Sequence, residues 1–226
     1  FSVKTFLGTD YFELLESEDL PHLLHKISLD ESKPNELNQS FLSLKEQALA
    51  VELPEVSETD MADIIFTSGT TGKPKGVISS HLQNIKVFEY WSTYIGLNKN
   101  DHYLIVNPFF HTFGYKAGWL ASIMRGATAY PCPVFDADKI IKIINEHKIS
   151  MLPGPPTLYQ SILTSQLIDK LDISSLRLGV TGAASIPVQL IKDMKERLGF
   201  ETVITAYGLT ESTGVVTMCT PDDDYE

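Results

Sequence analysis

Residues 63–81 run Asp-Ile-Ile-Phe-Thr-Ser-Gly-Thr-Thr-Gly-Lys-Pro-Lys-Gly-Val-Ile-Ser-Ser-His, and the residue types and spacing in that string suit a polyphosphate. Gly69, Gly72 and Gly76 let the backbone turn and present N–H groups. The hydroxyls of Thr67, Ser68, Thr70 and Thr71 add donors, and Lys73 and Lys75 add positive charge. The spacing departs from the Gly-x-x-x-x-Gly-Lys-Ser/Thr phosphate loop, and a strand rather than a helix is expected next, which disfavours an NTPase of that kind. A Gly/Thr-rich surface hairpin is the plain alternative for the same residues.

A second cluster, Tyr207-Gly208-Leu209-Thr210-Glu211, follows an expected strand at 202–206. An aromatic that can stack on a base, a hydroxyl that can donate to a phosphate and a carboxylate that can hold a hard divalent ion leave one strand end together. A strand-end cap would use the same Thr-Glu pair. Between these clusters lies Asn107-Pro108-Phe109-Phe110-His111-Thr112-Phe113-Gly114, which either shapes the mouth of an acyl pocket or packs a satisfied histidine. Thr181-Gly182-Ala183-Ala184-Ser185 puts small residues between a strand and a helix, which permits close ligand approach or tight helix–strand packing.

The elements that must carry these clusters are legible from periodicity. Strands are expected at 64–66 and 76–79, with Ser80 and Gln83 forming a capping box for a helix over 81–95 that Gly96 stops. Phe88, Trp91 and Ile95 mark the packed face of that helix. Strands at 102–106, 127–130, 149–152 and 177–180 alternate with helices around Trp119, over 136–147 with Asp136 as N-cap, from Pro155-Pro156, and from Pro187. Ile140, Ile141, Ile143 and Ile144 form a broad buried stripe. The alternation implies an α/β fold of layered mixed and parallel sheets with flanking helices. Residues 1–60 carry no site chemistry: a strand-like start at 1–7, short helices and turns, surface His22 and His25, and a linker at 52–60.

The phosphate-loop string, the Pro-Phe-Phe-His-x-Phe-Gly stretch and Tyr-Gly-Leu-Thr-Glu arrive in one order, and together they resemble the adenylate-forming superfamily of acyl-CoA synthetases, luciferases and peptide-synthetase adenylation domains. The resemblance is strong from Asp63 onward and weak before it. It implies a two-step reaction in which a carboxylate attacks ATP to give an acyl-adenylate and a thiol, CoA, then takes the acyl group. It also implies roles: Thr67, Ser68, Gly69, Thr70, Thr71, Gly72 and Lys75 around the β- and γ-phosphates, Tyr207 with Gly208 at the adenine, and Gly182, Ala183 and Ala184 bordering the adenine and acyl sites. His111 would lie by the carboxylate, Thr210 would contact phosphate or carboxylate, and Glu211 would bind Mg²⁺. Residues 1–226 would then be a partial adenylation domain. The small C-terminal domain would be absent, and catalysis by this stretch alone is not expected. The segments 110–118 and 152–157 look like bacterial acyl-CoA synthetases, among them fatty-acid ligases and ligases of a propanoate chain on a steroid-derived ring. An adenylation domain that loads a carrier protein fits less well, since no aspartate lies between Phe113 and Met124. A non-catalytic nucleotide-binding protein that kept the pocket would carry the same motifs.

Composition limits the rest. At 226 residues and 43% hydrophobic, the chain suffices for one large domain. A formal charge of −11 opposes nucleic-acid or anionic-membrane binding as the main activity; the partners that the resemblance implies are a small carboxylic acid, ATP and CoA. Cys132 and Cys219 have neither zinc nor Cys-x-x-Cys spacing, which points to a reducing, cytoplasmic setting. No apolar run approaches the ~20 residues of a membrane span.

Overall fold

The computed structural model describes residues 1–30, 38–47, 50–68 and 72–223, and the chain divides into two units, Phe1–Glu55 and Val56–Glu226. In the first unit β1 (Thr5–Phe6) and β2 (Thr9–Asp10) pair antiparallel, and Asp10 accepts from the N–H groups of Phe12 and Glu13 to cap α1 (Tyr11–Glu16). Of the strand expected over 1–7, Thr5–Phe6 and a parallel bridge from Ser2 to Ser28 form, and Leu7 and Gly8 end it by turning the chain at φ 49 and 84. β3 (Lys26–Ser28) lies parallel to β4 (Asn38–Ser40), which leads into α2 (Phe41–Gln47). His22 and His25 are exposed.

The second unit begins with an antiparallel hairpin, β5 (Met61–Thr67) and β6 (Lys75–Ser80), in which Thr67 faces Lys75 and Phe66 faces Gly76. Period-two alternation leaves Ile64, Phe66 and Ile78 exposed on one face of it, while Asp63, Ile65 and Thr67 are half-buried on the other. Both bonds of the expected capping box form at α3 (His81–Tyr94): Ser80 accepts from the Gln83 N–H, and the Gln83 side chain accepts from the Ser80 N–H. Phe88, Trp91 and Ile95 are buried as their spacing requires.

A larger sheet carries the core. β7 (His102–Ile105) pairs in parallel with β8 (Thr128–Pro131) on one side and bridges Met151 on the other. Met151 in turn bridges Leu178 of β9 (Leu178–Gly182), which pairs in parallel with β10 (Thr202–Tyr207). The short β11 (Thr217–Met218) closes the edge antiparallel to β10. The strand expected over 149–152 therefore shrinks to the Met151 bridge, because Pro153 has no N–H with which to extend the ladder.

Helices cover both faces of this sheet. One face packs on α5 (Ala137–His147), α6 (Pro156–Leu163) and α7 (Val188–Glu196) through residues such as Ile140, Ile144, Tyr159 and Met194. The other packs on α3 and on the helix around Trp119, which starts as a π-helix at Phe113–Leu120 and tightens into α4 (Ala121–Arg125). Asp136 caps α5 through the Lys139 N–H as its type predicts, and Ile143 is only partly buried beside the fully buried Ile140, Ile141 and Ile144. Pro155 and Pro187 take the N-cap positions of α6 and α7, one residue earlier than the first turn, with Pro156 at N1. Among the described residues no helix is long and apolar enough to cross a membrane, and both cysteines are free thiols.

Candidate active site

Strand order decides where a ligand can enter. After β7 the chain runs outward to β8 and then returns to Met151 on the opposite side of β7. In an open α/β sheet such a reversal opens a crevice beyond the carboxyl ends of the strands. Those ends hold Asn107 after β7, Gly154 and Pro155 after Met151, Gly182 at the end of β9 with Ala183 after it, and Tyr207 at the end of β10 with Gly208 after it. All seven residues line one cavity of about 120 Å³, together with His111, Phe113, Thr181, Ala206, Gly214 and Val215. Tyr159 pins this end of the sheet: its hydroxyl oxygen lies 2.5 Å from the Leu152 carbonyl and 3.0 Å from that of Val180. Burial first, and then the neighbouring Tyr103, push the Tyr159 pKa far above the ordinary 10, so the phenol keeps the proton it shares between those carbonyls.

Two glycines are fixed by close approach. A Cβ on Gly182 would stand 2.2 Å from the Ala206 carbonyl oxygen, and one on Gly208 would stand 1.7 Å from that of Gly214. The second clash arises because residues 208–216 fold back on β10, with Thr213 and Gly214 turning at φ 69 and 118 and the Val216 N–H donating to Tyr207 at 2.9 Å. Ala183 holds the left-handed conformation at φ 64, a strained backbone for a residue with a Cβ.

A larger, outer cavity of about 580 Å³ shares His111, Gly208 and Gly214 with the inner one. Thr67, Ser68 and Lys75 reach it from the hairpin, Thr112 from the turn after β7, and Leu209, Thr210 and Glu211 from the turn after β10. The register that sets Thr67 against Lys75 puts a hydroxyl and a cation side by side at the open end of the hairpin. Thr210 and Glu211 lie in a 3-10 turn, Thr210–Ser212, with Glu211 exposed toward the cavity. A third hollow, on the other side of the β10 end, is lined by Gly182, Ala183, Ala184, Tyr207 and Gly208 among others. Ala184 reaches only this third hollow.

Thr67, Ser68, Lys75, His111, Thr210 and Glu211 thus share one cavity, although they come from three distant parts of the sequence. Gly72 is described, at φ 84, but lines none of the three hollows. Gly69, Thr70 and Thr71 lie outside the described residues.

His111 sits at the junction of the two cavities. Partial burial lowers its pKa below the ordinary 6.5. Its Nδ1 accepts from the Phe113 N–H at 3.1 Å, so the neutral ring carries its proton on Nε2. Both effects favour neutral imidazole. Glu211 is the only carboxylate lining the outer cavity among the described residues, and no cluster of three His, Cys, Asp or Glu exists among them. One carboxylate beside an open, hydroxyl-lined space is the donor set of a Mg²⁺ that keeps waters and takes its remaining ligands from substrate phosphates. The residues fit that ion and do not form a closed protein cage.

Lys116 was not legible as a site-supporting residue. It is fully buried, with Nζ 2.8 Å from Asn84 Oδ1, 3.1 Å from Ser79 Oγ and 2.9 Å from Asp63 Oδ1, the last an ion contact off the hydrogen-bonding direction. Asn84 also donates to Asp63 Oδ2 at 2.6 Å. The cluster ties β5, β6 and α3 to the helix that follows His111. A lysine two residues past a glycine, in an otherwise apolar helix, was the available signal. Gly214 was also absent from the expected site, whereas Asn107 and Thr112 lie in the 107–114 stretch read as a possible acyl-pocket mouth and Pro155 lies in the 152–157 stretch that the resemblance covers. Gly214 reaches the site only through the fold-back after β10.

Residues 4–226 match the family described as AMP-binding enzyme. The chain is 43% identical over 231 residues to a 3-[(3aS,4S,7aS)-7a-methyl-1,5-dioxo-octahydro-1H-inden-4-yl]propanoyl:CoA ligase of Rhodococcus jostii (strain RHA1), covering 97% of this chain and 44% of the relative. It is 42% identical over 227 residues to the ligase of the same description in Mycobacterium tuberculosis (strain ATCC 25618 / H37Rv), covering 99% of this chain and 45% of the relative. The chain therefore spans less than half the length of these curated relatives. Among solved structures it is similar to the anthranilate CoA ligase AuaEII in complex with anthranoyl-AMP, with a TM-score of 0.85 and 27% identity over 94% of this chain and 41% of that one. The α/β fold with mixed and parallel sheets is thus that of adenylate-forming enzymes, and the chain belongs to the AMP-binding enzyme family.

Proposed function

We propose that this chain is a partial adenylation domain, supplying the nucleotide- and acyl-binding part of an AMP-forming acyl-CoA ligase with ATP, a carboxylic acid and CoA as substrates. The observation that carries this reading is the shared outer cavity, where Thr67, Ser68 and Lys75 of the hairpin meet Thr210 and Glu211 of the β10 turn, with His111 opening it onto the inner cavity. Hydroxyls and a cation suit the triphosphate, and an inner cavity with Phe113, Pro155, Ala183 and Val215 suits an acyl group. In the first step a carboxylate oxygen bonds to the α-phosphorus of ATP and the bond to pyrophosphate breaks. In the second, the CoA thiol gives up its proton, its sulfur bonds to the acyl carbon, and the bond from that carbon to the phosphate oxygen breaks to release AMP.

The protein's contribution is alignment and charge stabilisation of an in-line displacement. Ser68 and Thr67 donate to phosphate oxygens, Lys75 offsets their charge, Thr210 donates at the reacting phosphate or carboxylate, and Tyr207 with Gly182, Ala183 and Gly208 shapes the adenine side. Neutral His111 donates through Nε2 toward the substrate carboxylate without becoming an acid. Glu211 would hold Mg²⁺, which when bound neutralises developing charge on the phosphates. A cytoplasmic setting belongs to this reading, since ATP and CoA are drawn from there and both cysteines are free.

Within the ligases, the two bacterial relatives above 40% identity support a propanoate chain on a fused-ring ketone as the acyl substrate. The test is ATP–pyrophosphate exchange by the full-length protein with short, long, aromatic and fused-ring carboxylic acids, followed by CoA consumption. Exchange dependent on a carboxylic acid and led by the fused-ring acid is expected. Absence of exchange with every class would refute the ligase reading.

A further inference from the structure

Thr181 lines the inner cavity on the face of β9 that carries Gly179, toward α6 and α7. It is 1% exposed, and its Oγ1 is buried with no hydrogen-bond partner among the described residues. Neighbouring carbonyls do not supply one. That of Val180 already accepts from the Gly154 N–H at 2.9 Å and from the Tyr159 hydroxyl, and that of Leu152 accepts from Tyr159. Asn107, also on the cavity, donates its side-chain amide to the Pro153 carbonyl at 3.2 Å, and its Oδ1 makes no hydrogen bond with the Thr181 hydroxyl. The other polar side chains on the cavity, His111 and Tyr207, make no hydrogen bond with the Thr181 hydroxyl, and the rest of the lining, Phe113, Gly154, Pro155 and Ala183 among it, offers no side-chain acceptor. A hydroxyl proton is therefore left without an acceptor in a mostly apolar cavity, and an unmet buried donor is costly enough to be rare in folded proteins.

We propose that Thr181 is a specificity-determining residue that donates its hydroxyl proton to an oxo oxygen on the acyl group, so that the inner cavity selects carboxylic acids bearing a ketone over their fully reduced counterparts. This rests on the ligase reading above and deepens it. An apolar cavity with one unmet donor is complementary to an apolar skeleton with one acceptor set away from the carboxylate. A simple fatty acyl chain would leave the hydroxyl unpaired. Sites built around a buried polar group reject ligands that lack its partner, whereas apolar contact alone discriminates weakly. The ring system named for both bacterial relatives carries two oxo groups, either of which offers such an acceptor.

The test uses the full-length protein and two acids that share one fused-ring propanoate skeleton, one with ring ketones and one with methylenes in their place. Carboxylate-dependent pyrophosphate exchange gives kcat/KM for each acid. Thr181→Val keeps the shape and removes the hydroxyl, and Thr181→Ser keeps the hydroxyl. The wild type should favour the oxo acid, and Thr181→Val should reduce that preference by about 10–100-fold, chiefly through KM, with Thr181→Ser retaining most of it. Equal loss on both acids in Thr181→Val would make Thr181 a packing residue and overturn the proposal. An unchanged preference would overturn it too. If Thr181→Val does not fold, the wild-type preference and its retention in Thr181→Ser but not in Thr181→Ala decide the matter. A wild type that exchanges pyrophosphate with both acids equally would end this inference while leaving the ligase reading intact. A wild type that exchanges with no acid would end both.

Discussion

Replacing Lys116 by methionine tests whether the buried cluster holds the phosphate-facing hairpin to the helix after His111. Methionine keeps most of the stem and removes the charge and its donors. The ammonium's hydrogen bonds to Asn84 and Ser79 are lost with it. The larger effect is on Asp63, whose side chain is 11% exposed and loses its counter-ion 2.9 Å away. Breaking a buried pair from one side costs about 3–5 kcal/mol. Asp63 keeps its 2.6 Å bond from Asn84, so the low end, about 3 kcal/mol, is expected, which is about 10²-fold in a local opening equilibrium. The assay is native-state hydrogen exchange on the full-length protein at the amides of β6 and the first turns of α3, where Ser79 and Asn84 sit. Asp63→Asn in the Lys116→Met background should recover roughly half the loss or more, a coupling of about 1.5–3 kcal/mol. Simple addition of the two single losses, or a change in protection under about threefold, would refute the coupling.

Three further outcomes follow from the site. Glu211→Gln should lower adenylate formation by about 10²–10³-fold, because the amide cannot replace the charge held beside a hard cation, while thioester formation from a synthetic acyl-adenylate should fall less; equal loss in both half-reactions would make Glu211 a structural cap. Lys75→Ala should reduce kcat/KM for ATP by about 10–100-fold, the range of a charged hydrogen bond, with the melting temperature unchanged because Lys75 is exposed; an unaltered kcat/KM would remove it from the site. The His111 resonance should titrate below pH 6.5, with Nδ1 unprotonated in the neutral form. The folded chain then binds fewer protons at this site than the unfolded chain, so its contribution to stability is present above pH 6.5 and is lost as pH falls through the folded value.

What the sequence disclosed and what it withheld divide along a physical line. Local rules reported faithfully: the Ser80–Gln83 box, the Asp136 cap, the buried stripe of α5 and the packed face of α3 each depend on residues within one or two turns of each other. The motif residues Thr67, Ser68, Lys75, His111, Thr210 and Glu211 were named from the family resemblance, motif by motif, since type and spacing alone left a packed histidine and a strand-end cap open, and the fold brings them to one cavity. Departures arose where distant chain decides. Met151 is strand only through partners at Tyr103 and Leu178, and Gly214 reaches the site only because residues 208–216 fold back on β10. Lys116 and Thr181 belong to the same class. In the sequence each is one polar residue in an apolar stretch, which flags the position but not the partners it meets. Only packing reveals that Lys116 has three polar partners and that the Thr181 hydroxyl has none among the described residues.

The cavity itself is a consequence of one topological choice. Had the chain after β8 continued outward, the ends of β7 and β9 would not have been joined through Met151, and the turns at Asn107 and Gly182 would open onto different places. Because it returns inside, the crossover after β7 and the crossovers after Met151 and β9 leave the sheet on opposite faces, where α3 and the π-helix stand on one side and α5, α6 and α7 on the other. The loops must part at the point of reversal, and no helix can fill the gap. That gap is lined by backbone and small residues because the strands converge there, which explains why Gly182 and Gly208 are held by contacts to carbonyls and not by turn geometry alone. A side chain added at either position would push on the strand pair and not merely occupy ligand space. Gly208→Ala is therefore expected to destabilise the fold as well as weaken nucleotide binding, whereas Lys75→Ala, at the exposed end of the hairpin, affects binding alone.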